Sequence, residues 1–191
     1  SGSSVSDIRL SSLKIMENKW HTISVYSENQ VGMLNRISGI FLKRHINIES
    51  LNVSPSEIPQ VSKFTIVVNT TQKWVENIVG QIEKQVEVIK VFSHQDEEII
   101  YQESALFKIS SNLLFDERQI QNIIKESNAQ IVTVSREFFV ISKTGRRHEI
   151  DELHESLTPF GIRQFVRSGR IAVSKEAMPI STILNTINQK K

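Results

Sequence analysis

The sequence predicts an α+β fold built twice over: two antiparallel sheets, each carrying two helices on one face. Three observations predict it. Short stretches with the two-residue alternation of a half-buried strand are interleaved with stretches whose apolar residues recur every three or four positions. The order βαββαβ can be read once before residue 95 and again after residue 103. Between the two runs lies Ser93-His94-Gln95-Asp96-Glu97-Glu98, a charged stretch that breaks both periodicities.

In the first run, Ile23 and Val25 alternate with Thr22, Ser24 and Tyr26, which gives a strand over 22–27. Leu34, Ile37 and Phe41 then share one helical face over 31–44, widened by Met33 and Ile40. Asn47 introduces a second strand through Ile48, Leu51 and Val53. The segment Pro55-Ser56-Glu57-Ile58-Pro59 ends it, because prolines so close together cannot sit in a central ladder. Phe64, Ile66 and Val68 mark a third strand. Thr71 can cap a second helix that carries Val75, Ile78, Val79 and Ile82. A last strand follows over 86–92.

The second run repeats the order with weaker periodicity. Ala105, Phe107 and Ile109 mark a strand over 104–110, and Asp116 is the expected cap of a helix over 116–128 that holds Ile120, Ile123 and Ile124. Residues 131–134 and 138–141 read as a hairpin. A helix over 147–157 ends at Pro159-Phe160-Gly161, and a strand over 161–166 follows, with 170–173 extending or pairing with it. Each run is thus a split βαβ unit of the ferredoxin-like kind.

The expected domains are a leader over 1–19, a first domain over 20–94, a linker over 95–103 and a second domain over 104–191. Ser1-Gly2-Ser3-Ser4 has the character of a tag remnant and Met16 that of a natural start, with a trimmed transit peptide as the alternative. Each layout leaves one sheet face bare, and about 75 residues make a marginal core alone, so a homodimer at least is expected.

Composition excludes several classes of function. A net charge of +2 without a dense basic run gives no footing for nucleic acid. The absence of cysteine removes disulfides, thiolate catalysis and Cys-ligated metal sites. No apolar run approaches the roughly 18 residues of a membrane span, and a cytoplasmic protein is expected. His21, His45, His94, His148 and His154 lack ligand spacing, so no metal site is expected. No nucleophile–base set, carboxylate pair, phosphate loop or dinucleotide fingerprint stands out, so no catalytic residue is assigned. Arg163, Arg167, Arg170 and Lys175 form one loosely basic neighbourhood, expected as a solvated face or a contact with an acidic partner. Arg36 and Glu49 are a candidate ion pair, and Trp20 and Trp74 are expected to be partly buried anchors.

The strongest local signal is Ser27-Glu28-Asn29-Gln30-Val31-Gly32-Met33-Leu34-Asn35-Arg36-Ile37, between the first strand and the first helix. Backbone N–H groups at such a helix start carry partial positive charge and can receive a carboxylate without a basic side chain. Those of Val31, Gly32 and Met33 are the candidates, and Gly32 allows a ligand close to the backbone. Asn29 suits a cap or a ligand contact, and Asn47 suits a left-handed helix end or a ligand contact. Residue type alone leaves both pairs of roles open.

Asn29-x-x-Gly32-x-Leu34-x-Arg36-x-x-Gly39-x-Phe41, followed by Arg44-x-x-Asn47-Ile48-Glu49-Ser50-Leu51-x-Val53-x-Pro55, resembles the small regulatory subunits of acetolactate synthase (acetohydroxyacid synthase). The resemblance runs over nearly the whole chain from about His21, and includes Val166-Arg167-Ser168-Gly169-Arg170-Ile171-Ala172-Val173-Ser174. It implies that the first half is an ACT domain, an amino-acid-sensing module. It also implies no chemistry in this chain and association with a large catalytic subunit that carries thiamine diphosphate, Mg²⁺ and FAD. Activation of that subunit and feedback inhibition by a branched-chain amino acid, valine first, are implied as well.

The effector would lie between two ACT domains. Asn29, Gln30, Val31, Gly32, Met33 and Leu34 of one chain would meet Asn47 and Ile48 of its neighbour, with Met33, Leu34 and Ile48 around an aliphatic side chain. Two positions depart from the pattern. His45 stands where glycine is usual, so the helix is expected to end differently, and Asn35 replaces a small hydroxyl residue. A stand-alone ACT transcription regulator is the alternative; it needs a helix-turn-helix, and no segment supplies one.

Overall fold

In the first half, β1 (Lys19–Glu28), α1 (Met33–Lys43), β2 (Ser50–Pro55), β3 (Val61–Thr70), α2 (Gln72–Glu83) and β4 (Val88–Gln95) follow the expected order. The computed structural model describes residues 16–177 and 181–184, without the side chain of Asp116. Of the leader expected over 1–19, residues 1–15 lie outside the described residues, and Lys19 already pairs with Thr70 in the sheet.

The sheet order is β2-β3-β1-β4, all antiparallel, which leaves β2 at one edge. Ile23 faces Ile66 and Val25 faces Phe64 across the central ladder. These side chains meet Met33, Ile37 and Phe41 of α1 and Val75, Ile78 and Ile82 of α2 in one buried cluster. Thr71 caps α2 as expected, its Oγ1 accepting the Trp74 N–H at 3.4 Å. Trp74 itself stands about half exposed on α2 and joins no buried cluster among the described residues, whereas Trp20 is half-buried.

The end of α1 corrects an expectation. His45 adopts φ +53°, the left-handed conformation that a glycine would take. The His45 N–H donates to the Leu42 carbonyl at 3.0 Å, and the Ile46 N–H donates to that of Phe41 at 3.1 Å. That is a Schellman ending, with Ile46 packed on the core beside it. The helix therefore ends as it would with glycine, at a local cost for histidine. His45→Gly should raise the urea unfolding midpoint, because a left-handed conformation costs an L-residue roughly 1–2 kcal/mol and glycine's extra chain entropy offsets only about 0.5–1 kcal/mol of the gain.

Residues 95–103, expected as a linker, hold the end of β4, a 3₁₀ turn (Asp96–Glu98) and the start of β5 (Ile99–Ser110). The Gln95 N–H donates to the Glu98 carboxylate at 2.6 Å and Ile99 is buried, so the charged residues close a turn instead of loosening the chain. The division into two compact units falls between Ile100 and Tyr101, and the segment from Ala172 belongs to the first unit. The outer face of the first sheet is accordingly not bare. Tyr26, Ile58, Val61 and Ile89 form a second cluster there with Phe92 and Leu184, and Leu184 is fully buried.

At the end of β1, His21 is buried opposite Val68 and Gln95, with its Nε2 unpartnered among the described residues. Burial holds its pKa below the ordinary 6.5. Below 6.5 the unfolded chain therefore takes up a proton that the folded chain does not, and stability falls with pH until the folded value is reached. Unfolding midpoints at about pH 7.5 and about pH 5 should show this slope, and His21→Leu should flatten it.

The second unit repeats the plan. After β5 come α3 (Ser111–Asp116), α4 (Arg118–Glu126), β6 (Gln130–Val134), β7 (Phe138–Gly145), α5 (Arg147–Leu157) and β8 (Ile162–Arg167); β9 (Ile171–Ser174) then follows and belongs, from Ala172 on, to the first unit. The order is β6-β7-β5-β8, with β9 also paired to β5. Phe107, Ile109, Phe139 and Ile141 of the sheet bury Ile120 and Ile124 of α4 and Ile150, Leu153 and Leu157 of α5.

The helix expected over 116–128 is two. Leu113 and Leu114 pack on the core and draw 111–116 into a helix of its own, with Glu117 at the N-cap position of the next. The basic neighbourhood is also largely spent inside the fold. Arg167 lies 2.9 Å from Glu103 and 2.9 Å from Asp151. Arg170 is buried with its guanidinium 4.0 Å from the Tyr101 ring centroid, leaving Arg163 and Lys175 exposed.

Candidate functional site

The turn between β1 and α1 is held by backbone on two sides. The Glu28 N–H donates to the Glu87 carbonyl at 2.9 Å, and the Asn29 N–H donates to that of Gln60 at 3.1 Å. Neither anchor has a side-chain signature, which is why the sequence did not point to them. From this frame the chain enters α1 through Gly32 at φ +89°, ψ −4°. A Cβ built on Gly32 would meet nothing within 4 Å, so the glycine is there for its φ and for the open space in front of it.

The start of α1 lacks the partners a helix usually provides for itself. Gly32 is the N-cap and offers no side-chain acceptor, and no acidic residue stands in the first turn. Among the described residues, the N–H groups of Val31, Gly32 and Leu34 have no acceptor. Such groups favour an anion by about 0.3–1 kcal/mol each time a charge sits there, and up to about 2 kcal/mol when partly buried. The Met33 N–H donates to the Gln30 carbonyl at a long 3.4 Å. Arg36, one turn in, is tied to Glu87 at 2.8 Å.

The side chains around the turn sort into two groups. Val31 is fully exposed, Leu34 about half exposed, and Asn29 and Gln30 are exposed, so all four can meet a ligand. Met33 cannot do so with its side chain, which is buried with Ile37 and Phe41; what it presents at the turn is backbone. Sequence alone could not separate these, because both Met33 and Leu34 are apolar and adjacent.

Asn47 and Ile48 lie past the other end of α1. Asn47 Nδ2 donates to the Glu49 carboxylate at 2.9 Å, and Ile48 is half-buried against the core. The helix between them and Gly32 has 11 residues, which at 1.5 Å per residue is about 16 Å. One chain therefore does not bring the two halves of the predicted site together around one small molecule. The same length explains why Arg36 pairs with Glu87 and not with Glu49, the expected partner. Among the described residues no group of three or more metal-ligating side chains is assembled, and no helix is long and apolar enough to cross a membrane.

Comparison with known proteins agrees with this architecture. Residues 102–176 match the family model described as the small subunit of acetolactate synthase, and residues 23–90 match that of an acetohydroxyacid synthase small subunit-like ACT domain. The chain is 37% identical over 161 residues to the acetolactate synthase small subunit of Bacillus subtilis, covering 84% of this chain and 93% of the relative. It is 34% identical over 167 residues to that of Mycobacterium bovis, covering 87% and 99%. The crystal structure of the acetolactate synthase small subunit from Thermotoga maritima superposes with a TM-score of 0.75 at 29% identity, covering 84% of this chain and 99% of that one.

Proposed function

The chain belongs to the family of acetolactate synthase small subunits, and on that premise we propose that it is a non-catalytic subunit that senses a branched-chain amino acid, valine first. It would pass that signal to a large catalytic subunit in the cytoplasm. The catalytic partner carries the thiamine diphosphate, Mg²⁺ and FAD of the reaction, and this chain raises its activity and imposes feedback inhibition.

The observation that carries the reading is the left-handed Gly32 turn, with the N–H groups of Val31, Gly32 and Leu34 lacking acceptors at the start of α1. A carboxylate fits those donors. The exposed Val31 and Leu34 side chains lie beside it for an aliphatic group, and the amides of Asn29 and Asn47 can serve both charges of an amino acid.

The separation of about 16 Å along α1 is what makes the active form a homodimer in this proposal. A two-fold contact in which the α1 helices run antiparallel places the start of one beside the end of the other, so Gly32 of one chain meets Asn47 and Ile48 of its partner. Two features support such a contact. Among the described residues β2 is an edge strand paired with β3 alone, and α1 exposes Leu34 and Leu42 on its surface. An effector that bridges two chains in this way favours one relative orientation of the ACT domains, and it can change catalysis only through its different affinity for the two orientations.

Calorimetric titration of the chain with valine, leucine and isoleucine, and with alanine as control, tests the proposal. Saturable binding of one branched-chain acid at one site per chain is the expected result. It should be accompanied by inhibition by the same acid once the catalytic subunit is added. Absence of binding both alone and in the reconstituted enzyme would refute the sensing role.

A further inference from the structure

On the sheet face opposite α1 and α2, the first unit holds an open-sided cavity of about 210 Å³ that is separate from the Gly32 turn. Its floor follows from strand register. Thr22, Ser24 and Tyr26 point outward from β1, His94 and Phe92 stand opposite the first two on β4, and Lys63 stands opposite Tyr26 on β3. The segment around Ala172 and Val173 closes one side. Every residue lining the cavity belongs to the first unit.

We propose that this cavity is a binding site for a small aliphatic monocarboxylate, with the Lys63 ammonium as the partner of the carboxylate.

The donors and acceptors in the cavity do not balance. Lys63 has three N–H donors and makes no ion pair among the described residues. Its one acceptor there is the Ala172 carbonyl at a long 3.5 Å, and it lies 5.5 Å from the Tyr26 ring centroid. A partly buried ammonium ordinarily has a carboxylate or several acceptors around it. The hydroxyls of Ser24 and Tyr26 likewise have no hydrogen-bond partner among the described residues. Burial pushes the Tyr26 phenol up to about 12, so it keeps its proton and donates. Burial also pushes the Lys63 ammonium down, a loss that a bound carboxylate reverses. The floor of the cavity is thus rich in donors, while its two carboxylates, Glu57 and Glu176, are exposed and not ion-paired with Lys63 among the described residues, which leaves the ammonium for a bound carboxylate.

Size and charge narrow the ligand further. About 210 Å³ holds on the order of seven waters, or one molecule with about that many heavy atoms. Phe92, Val173 and Ile99 give the walls an apolar part that suits a short hydrocarbon tail. Glu57 and Glu176 line the rim and oppose a second negative charge, which disfavours phosphate and dicarboxylates.

The test uses the full chain and isobutyrate as probe, with isobutylamine and inorganic phosphate for comparison, followed by calorimetry and by ¹H–¹⁵N NMR. The expected result is saturable isobutyrate binding, with amide shifts centred on Ser24, Lys63 and His94. Lys63→Met should weaken it at least tenfold, with the far-UV spectrum of the folded chain retained. Where that variant fails to fold, Ser24→Ala should still weaken binding severalfold, and the shift map of the unaltered chain stands by itself. Three outcomes overturn the proposal: no saturation, shifts centred on residues 29–34 instead, or isobutylamine or phosphate binding as tightly as isobutyrate. Shifts at 29–34 would instead place the carboxylate at the Gly32 turn, so this proposal and the sensing role fail in distinguishable ways.

Discussion

Gly32→Asp is expected to weaken the response to a branched-chain amino acid sharply while the chain still activates its catalytic partner. The substitution puts a carboxylate where the carboxylate of the effector would meet the Val31, Gly32 and Leu34 N–H groups. Two like charges about 4 Å apart repel by roughly 1 kcal/mol in water and roughly 4 kcal/mol at an effective dielectric constant of 20. A partly exposed turn lies between these limits, so the affinity should fall by between about fivefold and a thousandfold.

Strain must be separated from charge, because Gly32 sits at φ +89° and a side chain there costs about 1–2 kcal/mol. Gly32→Asn has nearly the same shape, tolerates the left-handed region comparably and carries no charge. It should lose some stability and retain a measurable response, whereas Gly32→Asp should lose most of the response. Calorimetry of each variant, together with inhibition curves of the reconstituted enzyme, decides between the two effects. Equal loss in both would show that the backbone conformation, not the anion site, is what matters.

The periodicity of the chain made most of the fold legible. Alternation at Ile23 and Val25 and the helical spacing of Ile37 and Phe41 report burial directly, and burial is what the sheet and helix faces share. What escaped notice came from contacts with no periodic signature. The packing of Leu113 and Leu114 splits one helix into two. The Glu98 carboxylate turns a presumed linker into a capped turn. Leu184, at the far end of the sequence, lies in a cluster with Tyr26 and Ile89, a contact no local pattern can announce.

The candidate site divides in the same way. Gly32 was legible because a glycine between a strand and a helix marks a turn or a close approach to the backbone. The burial of Met33 against the exposure of Leu34 was not, because a wide apolar stripe hides which residue faces the core. His45 shows a further limit. Its left-handed conformation is dictated by the Schellman bonds of Leu42 and Phe41 with the residues that follow, and these outweigh the residue's own preference.

Phe41→Ala should produce the largest loss of stability among the changes considered, and it should reach the site without touching it. Phe41 is among the largest fully buried side chains and lies at the foot of α1, where its carbonyl also accepts the closing Ile46 N–H. Removing a buried phenyl ring costs about 3–5 kcal/mol, against a typical total of about 5–15 kcal/mol for a domain. Because Met33, Ile37 and Phe41 form one stripe, the void loosens the helix whose start carries the Gly32 turn.

Hydrogen exchange reads this separately for the two units. Amides of β1 and β3 should exchange about 10²–10⁴ times faster, as expected for about 3–5 kcal/mol. Amides of β5 and β7 beside Phe107 and Phe139 should change far less, because those side chains belong to a different core. The response to a branched-chain acid should weaken as well, through the ordering that binding must now supply. Equal acceleration in both units would mean that they open as one cooperative block, and the effector turn would then depend on the stability of the whole chain.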